Sequence, residues 1–224
     1  MRKTLLAATA VLFVSAGTSV SAQTASDTWG GWHVDVGAVA STDESEGYEY
    51  SPRLNPEGVT GTIGLGYRTV LGHLVVGVEA EVQLGPIDDS RSEELCNVRD
   101  CGYVETLDES RGSDGSVSFG ASLGHEVGGA LVSLHAGLNV VNATSSYAFD
   151  SNGEYPTYAN KYSDYAVGPY YGLGIQYPVT SRVSVLARWI RSELTEYRNE
   201  DSDGNEESTG FTRESYALSL GWRF

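Results

Sequence analysis

The strongest constraint in this chain is an alternation whose second face is glycine. In LVVGVEAEVQL, Leu74, Val76, Val78, Ala80, Val82 and Leu84 oppose Val75, Gly77, Glu79, Glu81 and Gln83. Successive strand side chains point to opposite faces, so one face is continuously apolar and the other small or charged. WHVDVGAVA sets Trp32, Val34, Val36 and Ala38 against His33, Asp35 and Gly37, and GVTGTIGLGYR sets Val59, Ile63, Leu65 and Tyr67 against Thr60, Thr62, Gly64, Gly66 and Arg68. SVSFGASLG, ALVSLHAGLNV and YAVGPYYGLGIQY repeat the pattern, with Gly120, Gly137, Gly172 and Gly174 on the second face. VSVLARWIRSEL is less regular, because Leu186 and Ile190 fall among Ser184 and Arg188; a bulge near Ile190 would reconcile it. The eighth stretch, ESYALSLGWRF, places Tyr216, Leu218, Leu220, Trp222 and Phe224 together. Helical periodicity is nowhere convincing.

A soluble sandwich also alternates, but it turns large apolar residues into a packed core and polar ones to water. Glycine at every second position weakens a strand unless something needs the space. An inverted arrangement supplies the reason. In an eight-stranded transmembrane barrel the apolar face meets lipid, and small residues face a lumen narrow enough for side chains to fill. Closure satisfies every backbone hydrogen bond in a medium that offers none.

The connections alternate in length. About 17 polar residues come after the first strand, then a tight turn at TVLGH, about 30 residues, the turn HEVGG, about 20 residues, the turn PVTSR, and about 14 residues around NEDSDGNEESTG. Antiparallel neighbours therefore gather four long loops at one end, and three short turns with the termini at the other. Trp29, Trp32, Tyr67, Tyr177, Trp222 and Phe224 fall toward the turn end, as an interfacial aromatic girdle would.

Residues 1–22, MRKTLLAATAVLFVSAGTSVSA, read as a signal peptide: a basic start at Arg2 and Lys3, an apolar run too short to span, and small residues before a cut at Gln23. The barrel domain is then 23–224. Losing Arg2 and Lys3 leaves 12 basic residues against 30 acidic ones, a net −18 that disfavours nucleic acid. Export to an oxidising compartment makes a Cys96–Cys101 disulfide the expected state of CNVRDC; C-x4-C with no second ligand pair is weak as a metal site.

Taken together, VVGVEAEVQ, the glycine-rich strands, VLARWIR and the terminal YALSLGWRF resemble the small outer-membrane β-barrel superfamily of OmpA/OmpX-like and opacity-type surface proteins. The resemblance lies in pattern rather than in one diagnostic motif. It implies an all-β, eight-stranded antiparallel up-and-down transmembrane barrel with four long extracellular loops and short periplasmic turns, in the outer membrane of a Gram-negative bacterium. It also implies that Tyr216, Leu218, Leu220, Trp222 and Phe224 are similar to the signal read by the barrel-assembly machinery.

Parity puts His33, Asp35, Arg68, Glu79, Glu81, His135, Arg188 and Arg223 in the lumen. Charges inside a membrane protein must pair or mark a pathway, so Asp35, Arg68, Glu79, Glu81, Arg188 and Arg223 are the candidate network, read as a structural plug ahead of an ion path. Catalysis finds thin support: His73 and His125 fall in short turns, and HEVGG lacks the second histidine of a metalloprotease helix. The acidic loops suggest Ca2+ or Mg2+ bridging toward lipopolysaccharide at DSDGNEE, with Asp201, Asp203 and Asn205 as ligands, although the EF-hand pattern is broken there. No other cofactor is expected. The expected role is a monomeric structural and cell-surface protein, with a narrow porin second and a lipid-modifying enzyme a distant third; its partners are outer-membrane lipid, lipopolysaccharide, the assembly machinery and a possible cell-surface ligand.

Overall fold

The structure, a computed structural model, describes residues 28–45, 54–96, 105–151, 158–197 and 208–224. Eight strands run in chain order: β1 (Gly31–Ser45), β2 (Glu57–Leu71), β3 (Leu74–Cys96), β4 (Glu105–Val127), β5 (Ala130–Ser151), β6 (Tyr158–Pro178), β7 (Val183–Tyr197) and β8 (Ser208–Arg223). Each pairs antiparallel with its neighbour, and the sheet closes β1 to β8 into a barrel. The seam runs from Ser45↔Phe211 to His33↔Arg223, and the Phe224 amide extends it by donating to the Trp32 carbonyl at 3.2 Å. Closure leaves no unpaired strand edge along the apolar band.

The apolar set faces outward: Val36, Ile63, Leu65, Val78, Phe119, Leu134, Leu138, Leu173, Leu218 and Leu220 are all exposed. In a bilayer those side chains meet hydrocarbon. Two aromatic pairs strengthen the outer wall edge to face, Trp32–Tyr67 with ring centroids 5.2 Å apart and Tyr171–Trp189 at 6.1 Å. Trp29 departs from the girdle expectation. It is only 3% exposed, tucked into the barrel mouth against Val75 and Leu131.

The strands are unequal. β1, β2, β7 and β8 have 15 or 16 residues, whereas β3 to β6 have 21 to 23. The connection read as about 30 loop residues between the third and fourth strands is therefore mostly strand, since β3 and β4 stay paired to Cys96↔Glu105. Among the described residues, about seven more residues at roughly 3.3 Å each carry this half of the wall about 23 Å farther along the strands. Bulges sit where the extension begins, between Leu84 and Ile87 of β3 and between Ser113 and Gly115 of β4. Across the β4 irregularity the inward facing passes from even positions such as Ser116 to the odd position Ser113, whereas β3 keeps odd positions inward at both Gln83 and Ile87.

The irregular seventh strand carries no bulge. β7 pairs with β8 in unbroken register from Val183↔Trp222 to Tyr197↔Ser208. Leu186, Ile190 and Leu194 simply point inward with Ser184, Arg188 and Ser192, and all six are buried.

Candidate functional site

The glycine face is explained by what lies across from it. His33 stands opposite Gly66, Asp35 opposite Gly64 and Gly221, Arg68 opposite Gly77, and Glu79 opposite Gly66 and Gly120. Tyr170 stands opposite Gly137, His135 opposite Gly172, and Arg188 opposite Gly174. Each long side chain crosses the lumen over a position with no side chain of its own. At Gly120 an added Cβ would collide with the Tyr170 hydroxyl and the Ala136 carbonyl, and at Gly174 it would come within 2.7 Å of His135 Nε2.

Those side chains meet at mid-height. Arg188 on β7 spans the lumen to β3, donating to Glu81 Oε2 and approaching Glu79 Oε1 at 3.6 Å. His135 Nδ1 donates to Glu79 Oε1 at 2.8 Å, and the Tyr170 hydroxyl approaches the same oxygen at 3.4 Å. Gln83 donates to Glu81 at 3.4 Å. Toward the turn end, Arg68 donates to Gln176, which in turn donates to Ser184, while His33 lies 3.5 Å from Asp35. Arg223 takes no part. Its guanidinium donates to the backbone carbonyls of Gly30 at 3.3 Å and Ser181 at 2.6 Å, tying the N-terminal approach to the β6–β7 turn.

Both ends of this polar layer are closed. At the turn end Trp29 packs with Val75, Leu131 and Val70, and its indole N–H donates to Glu126 at 3.0 Å. The cavity beside it, bounded by His33, Arg68, Gln176 and Arg223, measures about 20 Å³, room for roughly one water. At the loop end Val141, Ala143, Ala166, Leu194 and Phe211 form an apolar layer. Arg213, 1% exposed by side chain, donates to both carboxylate oxygens of Asp43 at 2.6 Å and to Ser113 at 2.8 Å. This second ion pair was not anticipated from the sequence. Continuing the parity of β1 past Ala40 and of β8 back past Ser215 would have found it.

A barrel of eight meandering antiparallel strands, with lipid-facing apolar residues, a filled lumen and one long-looped end, matches the family model for the outer membrane protein beta-barrel domain over residues 7–224. The chain belongs to that family. The outer membrane protein beta-barrel family places it in the bacterial outer membrane, with short periplasmic turns and the long loops extracellular. Similar solved structures include Ail, the attachment invasion locus protein of Yersinia pestis, in complex with the heparin analogue sucrose octasulfate, at 18% identity over 87% of this chain and 99% of that one, TM-score 0.42. Neisserial surface protein A is similar at 14% identity over 86% and 97%, TM-score 0.44. A major outer membrane protein from Thermus thermophilus gives 15% identity over 86% and 99%, TM-score 0.46. No curated protein matches the sequence.

Members of this family of small outer-membrane barrels are generally non-enzymatic, yet the lumen holds a serine–histidine–carboxylate chain that sequence reasoning did not assemble. Ser133 Oγ lies 2.8 Å from His135 Nε2, and His135 Nδ1 is the nitrogen bonded to Glu79. The order is that of an acyl-transfer triad. Its surroundings oppose that use. Ser133 is 5% exposed, and the next inward residue toward the periplasm is Leu131, under Trp29. Ser133 is paired on both sides, with Gly124 and Gly174, so neighbouring amides are spent in the ladder and not free to hold an oxyanion. The chain locks the imidazole tautomer and fills the lumen.

Asp201, Asp203, Asn205 and Cys101 lie outside the described residues, as do the side chain of Cys96 and residues 1–27. Among the described residues no cluster of three or more metal-ligating side chains occurs.

Proposed function

We propose that this outer membrane protein is a sealed structural barrel that strengthens the envelope and holds a raised wall of sheet, with its acidic loops, outward for surface contacts. The observation that supports it is the double closure of the lumen by Trp29 at the periplasmic mouth and by the Phe211 layer with Asp43–Arg213 at the outer mouth. Between them Arg68, Glu79, Glu81, His135, Gln176 and Arg188 are each bonded to a neighbour, so the interior serves as a core. A solute path would need a continuous wet column, and a narrow porin gains no support from this packing.

In this reading residues 1–22 direct export, the β8 face carrying Tyr216, Leu218, Leu220, Trp222 and Phe224 is recognised by the assembly machinery, and a Cys96–Cys101 disulfide staples the tip of the β3–β4 hairpin. The raised wall would stand among lipopolysaccharide headgroups, where acidic loops need divalent cations such as Ca2+ or Mg2+ to approach phosphate; Asp201, Asp203 and Asn205 are the candidate ligands. Opposed charges on paired positions, Asp89↔Arg111 and Arg91↔Glu109, suit a wall that holds its shape in water.

Gene deletion tests the role. Loss of the protein should increase entry of a hydrophobic dye through the outer membrane, and the barrel shortened beyond residues 88 and 112 should restore the barrier without restoring surface contacts. An unchanged barrier in the deletion strain would remove the envelope role.

A further inference from the structure

The periplasmic rim carries a histidine pair that neither closure uses. His73 occupies the two-residue turn between β2 and β3, behind Gly72 at φ +66°. His125 lies near the end of β4, paired across the ladder with Leu74. Both side chains are exposed. His125 Nδ1 is 2.8 Å from the backbone carbonyl of His73. A carbonyl only accepts, so Nδ1 carries the proton and the neutral ring keeps its lone pair on Nε2. Metal-ligating histidines commonly have this arrangement, with one nitrogen donating to a carbonyl and the other free for the ion.

The spacing fits. The two ring centroids are 6.4 Å apart with the planes at 68°. A metal lies about 2.0–2.1 Å from an imidazole nitrogen and so roughly 3.2 Å from the ring centre, which sets two rings on one ion about 4.5 to 6.4 Å apart as the angle between them opens from 90° to 180°. The pair stands at the upper end of that range, and rotation of the His73 side chain on its exposed turn closes the remaining ångström. Neighbouring side chains do not compete: Leu71 and Leu74 carry no donor, and Glu126 is held on the other face of β4 by Trp29.

We propose that His73 and His125 form a two-histidine site for a borderline divalent transition ion, Zn2+, Ni2+ or Cu2+, with water completing the coordination, at the periplasmic rim. Two nitrogen donors select these ions over Ca2+ and Mg2+, which prefer oxygen. A bound ion clips the β2–β3 turn to β4 and leaves open positions for a further ligand from the periplasm.

The test uses the mature chain, refolded in detergent without a polyhistidine tag and checked for folding by its heat-dependent gel mobility. Calorimetry with Zn2+ should show one site per barrel, and Cu2+ bound there should give a paramagnetic resonance spectrum with two nitrogen couplings. Removing even an outer partner of a metal costs roughly 10–100-fold in affinity, so His73→Ala and His125→Ala should each weaken binding by at least about tenfold with the barrel still folded. Absence of binding at sub-millimolar Zn2+, or a double variant that binds as tightly as the parent, overturns the proposal.

Discussion

Arg213 donates to both oxygens of Asp43 and to Ser113 from a position nearly closed to solvent. Removing one member of a buried pair strands the other charge, which typically costs about 3–5 kcal/mol, whereas replacing both with apolar residues of similar size is often neutral. Asp43→Leu alone should therefore reduce the unfolding free energy of the refolded barrel in urea by about that much, seen as a lower midpoint, and Asp43→Leu with Arg213→Met should recover most of it. Equal midpoints for the single variant and the parent would contradict the account. Glycines make a second prediction at this scale. Gly120 sits under the Tyr170 hydroxyl and against the Ala136 carbonyl, so Gly120→Val should prevent lumen packing and lose the compact gel form; a Gly120→Val barrel that keeps the compact form would contradict this fit. His33, Asp35, Arg68, Glu79 and Arg188 could be placed inside by counting by twos, because each lies in a stretch whose other face is continuously apolar. Asp43 and Arg213 escaped because the apolar run that marks the count had stopped before reaching them.

The same physical limit acts on whole strands. Alternation is visible only where one face meets hydrocarbon; beyond the bilayer both faces of a wall can be polar, and DDSRSEEL on β3 or ETLDESRGSDG on β4 then looks like loop. Eight strands and their order were legible, whereas the extra length of β3 to β6 was not. The seventh strand misled for the opposite reason. Its lumen face is apolar at Leu186, Ile190 and Leu194 because the lumen has apolar layers, and no residue is inserted. The closing strand carries a prediction of its own. β8 pairs with β1 to its last residue, where the Phe224 amide meets the Trp32 carbonyl, and Phe224 is 70% exposed on the lipid side. Deleting Phe224 should reduce the amount of barrel recovered in the outer membrane far more than deleting Ser208 at the outer end of β8. Equal recovery would remove the assembly role assigned to that face.

At the scale of the whole molecule, one sequence pattern has two readers. The apolar face meets lipid, and the glycine face leaves space for a few long polar side chains that lock the interior. What the alternation could not convey is the closure at each end, because Trp29 reaches the mouth from outside any alternating stretch, and Val141, Ala143, Ala166, Leu194 and Phe211 come from four different strands. Loss of one closure leaves the other, so Trp29→Ala should still fold and should remain electrically silent. The central claim, that this lumen is a core and not a conduit, is tested most directly by planar-bilayer recording on the refolded mature protein. No discrete conductance steps are expected from the parent, under conditions where a known porin gives them. Stable, discrete steps that change in size when Glu79→Gln or Arg188→Met is introduced would contradict it.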